Sequence, residues 1–180
     1  MLKVHELAYG PFGPHSFTVE PGHCLGVSGP SGCGKTRLLR ALCDLDPATG
    51  EVALNGQRAE TVPAPLWRRR MGLLPAEPAW WADQVARHFE STPDPALLGR
   101  LGFSTDVLEW EISRLSSGEK QRLSLLRTLL LQPECLLLDE PTAHLDPAYG
   151  AEMETLVAEY RRTAKVPVVW VSHTADQLAR

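Results

Sequence analysis

The stretch GPSGCGKT, Gly29 to Thr36, decides the fold of this 180-residue chain. It follows a short apolar run, Leu25–Ser28, that predicts a buried strand, and it leads into a helix-forming run, Thr36–Leu45. Its glycines let the backbone curl until successive N–H groups face one point, where the helix N-terminus adds a partial positive charge. A glycine-rich loop between a strand and a helix therefore predicts a phosphate-binding site.

The spacing Gly-x-x-x-x-Gly-Lys-Thr suggests roles within this loop. Lys35 is expected to reach the β- and γ-phosphates of a nucleotide, and the Thr36 hydroxyl to ligate Mg²⁺. The dinucleotide fingerprint Gly-x-Gly-x-x-Gly has a different glycine order, which argues against a nicotinamide cofactor. The alternative is a glycine turn with an incidental lysine, and the flanking strand and helix disfavour it. The predicted nucleotide-binding residues of this segment are Gly29, Pro30, Ser31, Gly32, Cys33, Gly34, Lys35, Thr36 and Arg37.

A second segment, CLLLDEPTAHLD (Cys135 to Asp146), ends an apolar run with two adjacent carboxylates. A strand that ends beside a phosphate loop can place Asp139 against Mg²⁺, where the cation offsets the cost of a partly buried carboxylate. Glu140 is then a candidate general base for a water molecule in line with the γ-phosphate. The alternative is that both carboxylates lie on an exposed strand end.

A third segment, LSSGEKQR (Leu115 to Arg122), opens a strong helical pattern that runs from Ser116 to Leu131. Ser116 and Glu119 match a capping box, which alone would explain these residue types. A serine hydroxyl and free N–H groups at a helix N-terminus also form an anion site. Both interpretations remain open on the residues alone.

The rest of the pattern predicts an α/β domain. Apolar runs at 71–74, 135–138 and 166–171 alternate with helical pieces, as is typical of a parallel sheet covered on both faces. The dipeptide Asn55-Gly56 predicts a tight hairpin turn after a strand at 51–54. From Pro75 to Ser113 the chain contains prolines and three tryptophans without a strand pattern, which predicts a small helical insertion.

Composition narrows the class of protein. Apolar residues make up 43% of the chain, charged residues 22%, and the formal net charge is −4, which argues against a nucleic-acid-binding surface. The basic run at 68–70 is short and predicts a solvated face or a local anion contact. No apolar run reaches the length of a membrane span, and the first residues do not resemble a signal peptide. The four cysteines are scattered without CxxC or metal-ligand spacing, which indicates a reduced cytosolic compartment. The six histidines are also dispersed and suggest no zinc site.

Five motifs in order, GPSGCGKT, LSSGEKQR, LLLDEP, AHLD and VSH, resemble those of an ATP-binding cassette (ABC) ATPase. The resemblance runs from about Tyr9 to His173. It implies a P-loop α/β fold with a mostly parallel sheet, an N-terminal antiparallel β portion and a small helical insertion at about 76–115. It also implies that residues 1–180 form a single ABC ATPase domain, whose C-terminal end is short for the family.

The resemblance also implies the ligands and an assembly. ATP and Mg²⁺ are the expected cofactors, and two copies of the cassette would enclose each ATP. The second copy would supply the signature motif, which comprises Ser116, Ser117, Gly118 and Glu119. Asp146 resembles the D-loop aspartate that bridges the two copies, and His173 the switch histidine that holds the γ-phosphate. Tyr9 matches the aromatic residue that stacks on adenine.

Three departures from the family pattern stand out. In GLLPAEP, Ala76 replaces the glutamine that helps to ligate Mg²⁺, so weaker metal coordination or coupling is expected; Glu77 is one candidate substitute. Ser117 replaces the first glycine of LSGGQ, for which a mild effect is expected. The third departure is the short C-terminal end. Trp80 and Trp81 lie where family transporters receive a helix of the membrane subunit, so they belong either to a contact patch or to the core of the insertion.

These features together predict the ATP-hydrolysing subunit of a membrane transporter. It would act by ATP-driven homodimerisation and dock on a separate permease chain, as a cytoplasmic protein peripheral to the inner face of the cell membrane. KQRLSLLRTLL and VVWVSH resemble small bacterial cassettes linked to metal or iron export. The alternatives are a soluble, non-transport ABC ATPase acting on DNA or ribosomes, and an ATP-dependent switch that barely hydrolyses ATP.

Overall fold

A computed structural model describes residues 1–143 and 145–173. The strands in these ranges are β1 (Leu2–Tyr9), β2 (Phe12–Val19), β3 (Cys24–Val27), β4 (Thr49–Leu54), β5 (Gln57–Arg58), β6 (Met71–Leu74), β7 (Cys135–Asp139) and β8 (Val168–Val171). The α-helices are α1 (Lys35–Leu42), α2 (Ala64–Arg70), α3 (Pro95–Arg100), α4 (Ser117–Leu130) and α5 (Pro147–Ala164).

An antiparallel sheet forms the N-terminal part, with strand order β2-β1-β4-β5. The β4–β5 hairpin closes through Asn55 and Gly56, whose φ angles are 53° and 81°. Positive φ at both central residues is what a type I′ turn requires, and Asn-Gly is its preferred sequence. Leu54 pairs with Gln57 across the turn. The predicted hairpin is therefore confirmed.

A second sheet is parallel, with strand order β3-β8-β7-β6. Every residue of the two central strands, β7 and β8, is buried. Leu137 packs into a cluster with α1 and the antiparallel sheet, whereas Leu136 and Leu138 pack into a cluster with α4 and α5. The sheet is therefore covered on both faces, which explains the continuous apolar runs in its strands.

The insertion contains α3 and three short 3₁₀ helices, Val85–His88, Thr105–Glu109 and Ile112–Arg114. One isolated antiparallel bridge joins Gln84 to Glu111, although the sequence shows no strand pattern there. The apolar side chains of this segment belong to the same buried cluster as Leu136 and Leu138. The insertion therefore packs on one face of the parallel sheet and shares its core.

Most predicted element boundaries differ from the observed ones by a few residues. The helix predicted to reach Leu45 ends at Leu42. Asp44 has a φ of 56°, a left-handed value that is incompatible with a continuing α-helix. The last strand begins at Val168 instead of Val166, because Pro167 has no N–H for the sheet and offers only its carbonyl, to the Leu136 N–H. The sequence also predicts a terminal helix after the last strand; residues 174–180, like His144 of the AHLD motif, lie outside the described residues.

Candidate nucleotide site

The phosphate loop connects β3 to α1 and already has a curled backbone. Gly32 and Gly34 have φ angles of 81° and 93°, and a Cβ at Gly34 would lie 2.8 Å from the ring of Phe12. Glycine at 34 is thus required both by backbone conformation and by space. The ammonium of Lys35 donates to the carbonyls of Gly29 (2.7 Å) and Pro30 (3.1 Å), and the residue is 8% exposed. The loop therefore wraps around one lysine charge.

A hydrogen bond joins this loop to the end of β7. The Thr36 hydroxyl donates to Oδ2 of Asp139 at 2.7 Å, and Asp139 is 2% exposed. The other carboxylate oxygen, Oδ1, is buried and has no hydrogen-bond partner. A buried carboxylate oxygen without a partner is costly, whereas oxygen ligands of this kind are what Mg²⁺ prefers. The hydroxyl and the carboxylate therefore fit a Mg²⁺ ion.

Glu140 and His173 lie next to that pair. The His173 Nε2 is 2.5 Å from Oε1 of Glu140. The Glu140 backbone leaves the strand with a φ of 48°, while its N–H donates to the Val171 carbonyl at 3.0 Å. A positive φ is uncommon for a residue other than glycine, and such strained positions cluster at functional sites. The turn leaves the carboxylate partly exposed, in contact with a partly exposed imidazole.

Most of these residues line one cleft of roughly 510 Å³, whereas the buried Asp139 is not part of its wall. Its walls are Pro11, Phe12, Ser31, Gly32, Gly34, Lys35, Thr36, Arg37, Glu140 and His173. The structure thus brings the phosphate loop together with the acidic end of β7 and the histidine after β8. A polyphosphate could lie along the loop, with a carboxylate and an imidazole at its far end.

Tyr9 does not line this cleft, so the cleft geometry does not support base stacking by Tyr9, which stays a prediction. It is 3% exposed and packs against Phe12 and His15, with ring centroids 5.8 and 5.7 Å away, and burial raises the pKa of its phenol. Phe12 is the aromatic residue in the cleft wall, and the Arg37 guanidinium carbon lies 5.9 Å from its ring centroid. The sequence held one signal for this role of Phe12: it is an aromatic residue directly after the Gly10-Pro11 turn that follows Tyr9.

Comparison with known proteins places the chain in a family. A family model described as ABC transporter matches residues 12–143. The probable iron export ATP-binding protein FetA of Escherichia coli (strain K12) is 31% identical over 175 residues, covering 91% of this chain and 78% of that protein. The phosphate import ATP-binding protein PstB of Aeropyrum pernix is 32% identical over 192 residues, covering 92% and 75%. The chain belongs to the ABC transporter family.

Solved cassettes share its fold. The ATP-binding subunit of an ABC transporter superposes with a TM-score of 0.86 at 21% identity, covering 98% of this chain and 80% of that one. A dimeric cassette in a post-hydrolysis state, bound to ADP and phosphate, has a TM-score of 0.82 at 20% identity, covering 98% and 89%. The family and the P-loop α/β fold that the sequence motifs predicted are confirmed, and the chain is an ABC ATPase.

The signature motif of this cassette opens α4 with a complete capping box. The Ser116 hydroxyl and backbone N–H both donate to the Glu119 carboxylate, at 2.7 and 2.8 Å, and the Glu119 N–H donates back to the hydroxyl at 3.3 Å. These bonds lower the pKa of Glu119. Ser116 and Ser117 are exposed, and neither they nor Gly118 line the nucleotide cleft. The capping interpretation is confirmed, and the nucleotide-facing interpretation stays a prediction.

Two further predicted positions lie outside the cleft wall. Asp146 is the N-cap of α5 but makes no side-chain capping hydrogen bond. Ala76 follows β6 and is half-buried, next to an exposed Glu77. Gln121 of α4, which sequence analysis missed, lies 3.4 Å from the Pro75 carbonyl through its Nε2, and its own Oε1 is buried without a partner. Gln121 of the signature helix therefore contacts the segment that carries Ala76, the position where the family has a glutamine.

The two aromatic residues at the β1–β2 turn give a direct test of which one holds the base. Replacing Phe12 by Ala should weaken ATP binding by roughly 5- to 100-fold, because base–aromatic stacking contributes about 1–3 kcal/mol. Tyr9→Leu removes the ring face but keeps an apolar side chain, and it should leave the dissociation constant within about twofold because Tyr9 does not line the cleft. Fluorescence titration with a labelled ATP measures both. A larger loss for Tyr9→Leu than for Phe12→Ala would assign the stacking role to Tyr9.

Proposed function

We propose that this ABC ATPase binds Mg²⁺–ATP in the cleft and hydrolyses it as a homodimer that powers a separate membrane permease. The observation that carries the proposal is the Thr36–Asp139 hydrogen bond with an unsatisfied carboxylate oxygen, directly beside Glu140 and His173. Thr36 and Asp139 provide oxygen ligands for a divalent cation, and Glu140 provides a base, both beside the phosphate loop. This arrangement suits the transfer of a terminal phosphoryl group from a nucleotide to water.

The phosphate loop, the acidic end of β7 and His173 each have a role in this proposal. The backbone of the phosphate loop and Lys35 bind and orient the phosphates. Thr36 and Asp139 would hold Mg²⁺, which when bound neutralises charge on the phosphate oxygens. Glu140 takes a proton from the attacking water, and His173 orients that carboxylate through their 2.5 Å contact. The products are ADP and inorganic phosphate.

A homodimer would complete the site. The exposed N-terminus of α4 carries Ser116 and the N–H groups of the first helical turn, which suit an anion, yet it lies outside the cleft of its own chain. A second copy could bring this end to the γ-phosphate. The dimeric cassette among the structural neighbours shows that the shared fold can assemble in pairs.

Replacing Glu140 by Gln tests the chemistry and the assembly together. Turnover should fall about 100-fold or more, because the general base is lost while ATP binding is retained. The unhydrolysed ATP should then hold the protein as a dimer, measured by light scattering after size-exclusion chromatography. Glu109→Gln, the same change on an exposed carboxylate of the insertion, should leave turnover unaltered. Normal turnover in Glu140→Gln would remove Glu140 as the base, and an ATP-bound monomer would remove the homodimer.

A switch that barely hydrolyses ATP is a second candidate, and Ala76 is the observation that favours it. Restoring the amide with Ala76→Gln should raise the ATPase rate and lower the Mg²⁺ concentration needed for half-maximal rate. One added hydrogen bond predicts roughly a two- to tenfold effect. Ala79→Gln, the same change at an exposed position nearby, serves as control. If Mg²⁺ dependence and rate match those of the parent, Ala76 has no part in metal coordination or coupling.

The permease contact would lie on the insertion. Trp81 is 69% exposed, and the Arg127 guanidinium lies 4.8 Å from the centroids of both Trp80 and Trp81. Exposed tryptophan beside arginine is typical of residues that dominate protein interfaces. Among the described residues, none of the helices could cross a lipid bilayer by length and hydropathy. A peripheral position at the inner face of the membrane is part of this proposal.

Similarity to known cassettes does not identify the substrate that would be transported. FetA is named for iron export and PstB for phosphate import, although the chain is about equally similar to both. In the proposed assembly the permease holds the cargo, so similar cassettes can serve different substrates and directions.

Capture from detergent-solubilised membranes of the native host tests the permease. The tagged chain should co-purify with a multi-span protein in stoichiometric amount, and Trp81→Ala should reduce that yield about tenfold. Leu66→Ala, at another exposed apolar residue, should not. Recovery of ribosomal or other soluble proteins in place of a multi-span protein would favour the non-transport alternative.

A further inference from the structure

Arg122 of α4 is an unusual buried cation. It is 8% exposed, and its guanidinium lies 3.8 Å from the Tyr149 ring centroid and 4.7 Å from that of Phe103. Its Nη1 donates to the Leu101 carbonyl, and its Nε lies 3.4 Å from the Gly118 carbonyl. A single side chain thus contacts the insertion, the first turn of α4 and the first turn of α5.

Aromatic faces and carbonyls make the direct contacts of this charge, and the Glu119 carboxylate interacts with it electrostatically without forming an ion pair. No ion pair involving Arg122 occurs in residues 1–143 and 145–173. A buried guanidinium is costly unless its donors are satisfied, and two flanking rings supply cation–π stabilisation that strengthens as water is excluded. Two aromatic rings therefore stabilise an arginine at a buried position where an apolar side chain could pack.

A glycine keeps the space open for this arrangement. Gly102 has a φ of 80°, and a Cβ there would lie 2.5 Å from the Tyr149 hydroxyl and 2.8 Å from Arg122 Nη1. Both the backbone conformation and the crowding exclude a larger residue. The close approach of Arg122 to Tyr149 is therefore built into the turn that follows α3.

The two helices that Arg122 joins begin at the two motifs predicted to face a second copy. Ser116 caps α4, six residues before Arg122, and Asp146 caps α5, three residues before Tyr149. We propose that Arg122 is a positioning residue that holds the signature motif and the D-loop as one rigid unit, so that both meet the partner copy together. This inference rests on the proposed homodimer.

Loss of the Arg122 stack should affect the dimer and not the binding of nucleotide to a single copy. Arg122, Phe103 and Tyr149 do not line the nucleotide cleft, so their loss leaves the phosphate loop of a single copy intact. Loss of the stack lets the starts of α4 and α5 shift independently, and closure of the dimer then has to order them. The dimer dissociation constant rises, whereas the ATP dissociation constant of a single copy does not.

The experiment uses the Glu140→Gln chain as parent, so that ATP persists. Arg122→Met should weaken the ATP-dependent dimer about tenfold or more by analytical ultracentrifugation. Its binding of labelled ATP under dilute, monomeric conditions should stay within about twofold of the parent. Arg122→Lys keeps the charge without the flat stacking surface and should fall between the two. Equal dimer affinity in parent and Arg122→Met would overturn the inference, as would a matching loss of ATP binding in the monomer.

Arg100 offers a matched control. It also joins the insertion to α5, through Glu152 at 2.5 Å and Glu159 at 2.7 Å, and within the described residues its ion pairs are with α5 and not with α4. Arg100→Met should leave dimer affinity within about twofold. A loss as large as that of Arg122→Met would show that any link between insertion and α5 suffices, which contradicts a specific role for the signature helix.

Tyr149 provides a second route if Arg122→Met does not fold. Tyr149→Phe retains the ring face and should dimerise like the parent, whereas Tyr149→Leu removes the face and should weaken the dimer as Arg122→Met does. Equal dimer affinity in these two variants would overturn the inference. A parent that remains monomeric with ATP would refute the homodimer, and with it this inference; a dimeric parent with unaffected variants would refute the inference alone.

Discussion

The hydrogen bond between Thr36 and Asp139 joins two residues 103 positions apart, and most of the site depends on it. It requires that the loop after β3 and the end of β7 meet at the same edge of the sheet. Parallel pairing achieves this because the carboxyl ends of parallel strands lie together. Val171 of β8 pairs with both Val27 and Asp139, so β8 sets the spacing between them. The residues that follow each strand then converge on one cleft.

That convergence creates local costs. Asp139 keeps one carboxylate oxygen buried without a partner, and Glu140 adopts a positive φ in the next residue. Each feature costs of order 1–3 kcal/mol on its own. They persist because β7 is buried along its whole length and cannot rotate to relieve them. The apolar core thus supplies the free energy that holds a partly unsatisfied site ready for a cation and a phosphate.

The sequence predicted those parts of the molecule whose signals are local. The loop at 29–36, the Asn55-Gly56 hairpin, the capping box and the β6 boundaries each follow from residue types within a few positions. The order of motifs predicted the cassette fold. Predictions from the resemblance for the signature and D-loop contacts need a second copy and remain predictions.

The sequence could not predict which face of the sheet a side chain occupies after a break in the strand register. The pairing of β1 with β2 shifts register between Val4 and Leu7 and again between Leu7 and Tyr9. Each irregularity breaks the two-residue alternation that tells which face a side chain occupies. For this reason the sequence could not show that Tyr9 faces the core while Phe12 reaches the cleft. Arg122 was missed because its stacking partners lie in distant segments.

The capping box adds a constraint on closure of the proposed dimer. The Ser116 hydroxyl already donates to the negatively charged Glu119 carboxylate, and hydrogen bonds from Ser116 lower the pKa of that carboxylate further below its ordinary value. A γ-phosphate arriving at Ser116 would meet that negative charge, and like charges at short range repel. In the proposed dimer, closure would therefore require the hydroxyl to exchange the carboxylate for the phosphate while the helix N–H groups bind both anions. If Arg122 keeps the start of α4 rigid as proposed, this exchange would need only side-chain rotation and no reordering of the helix.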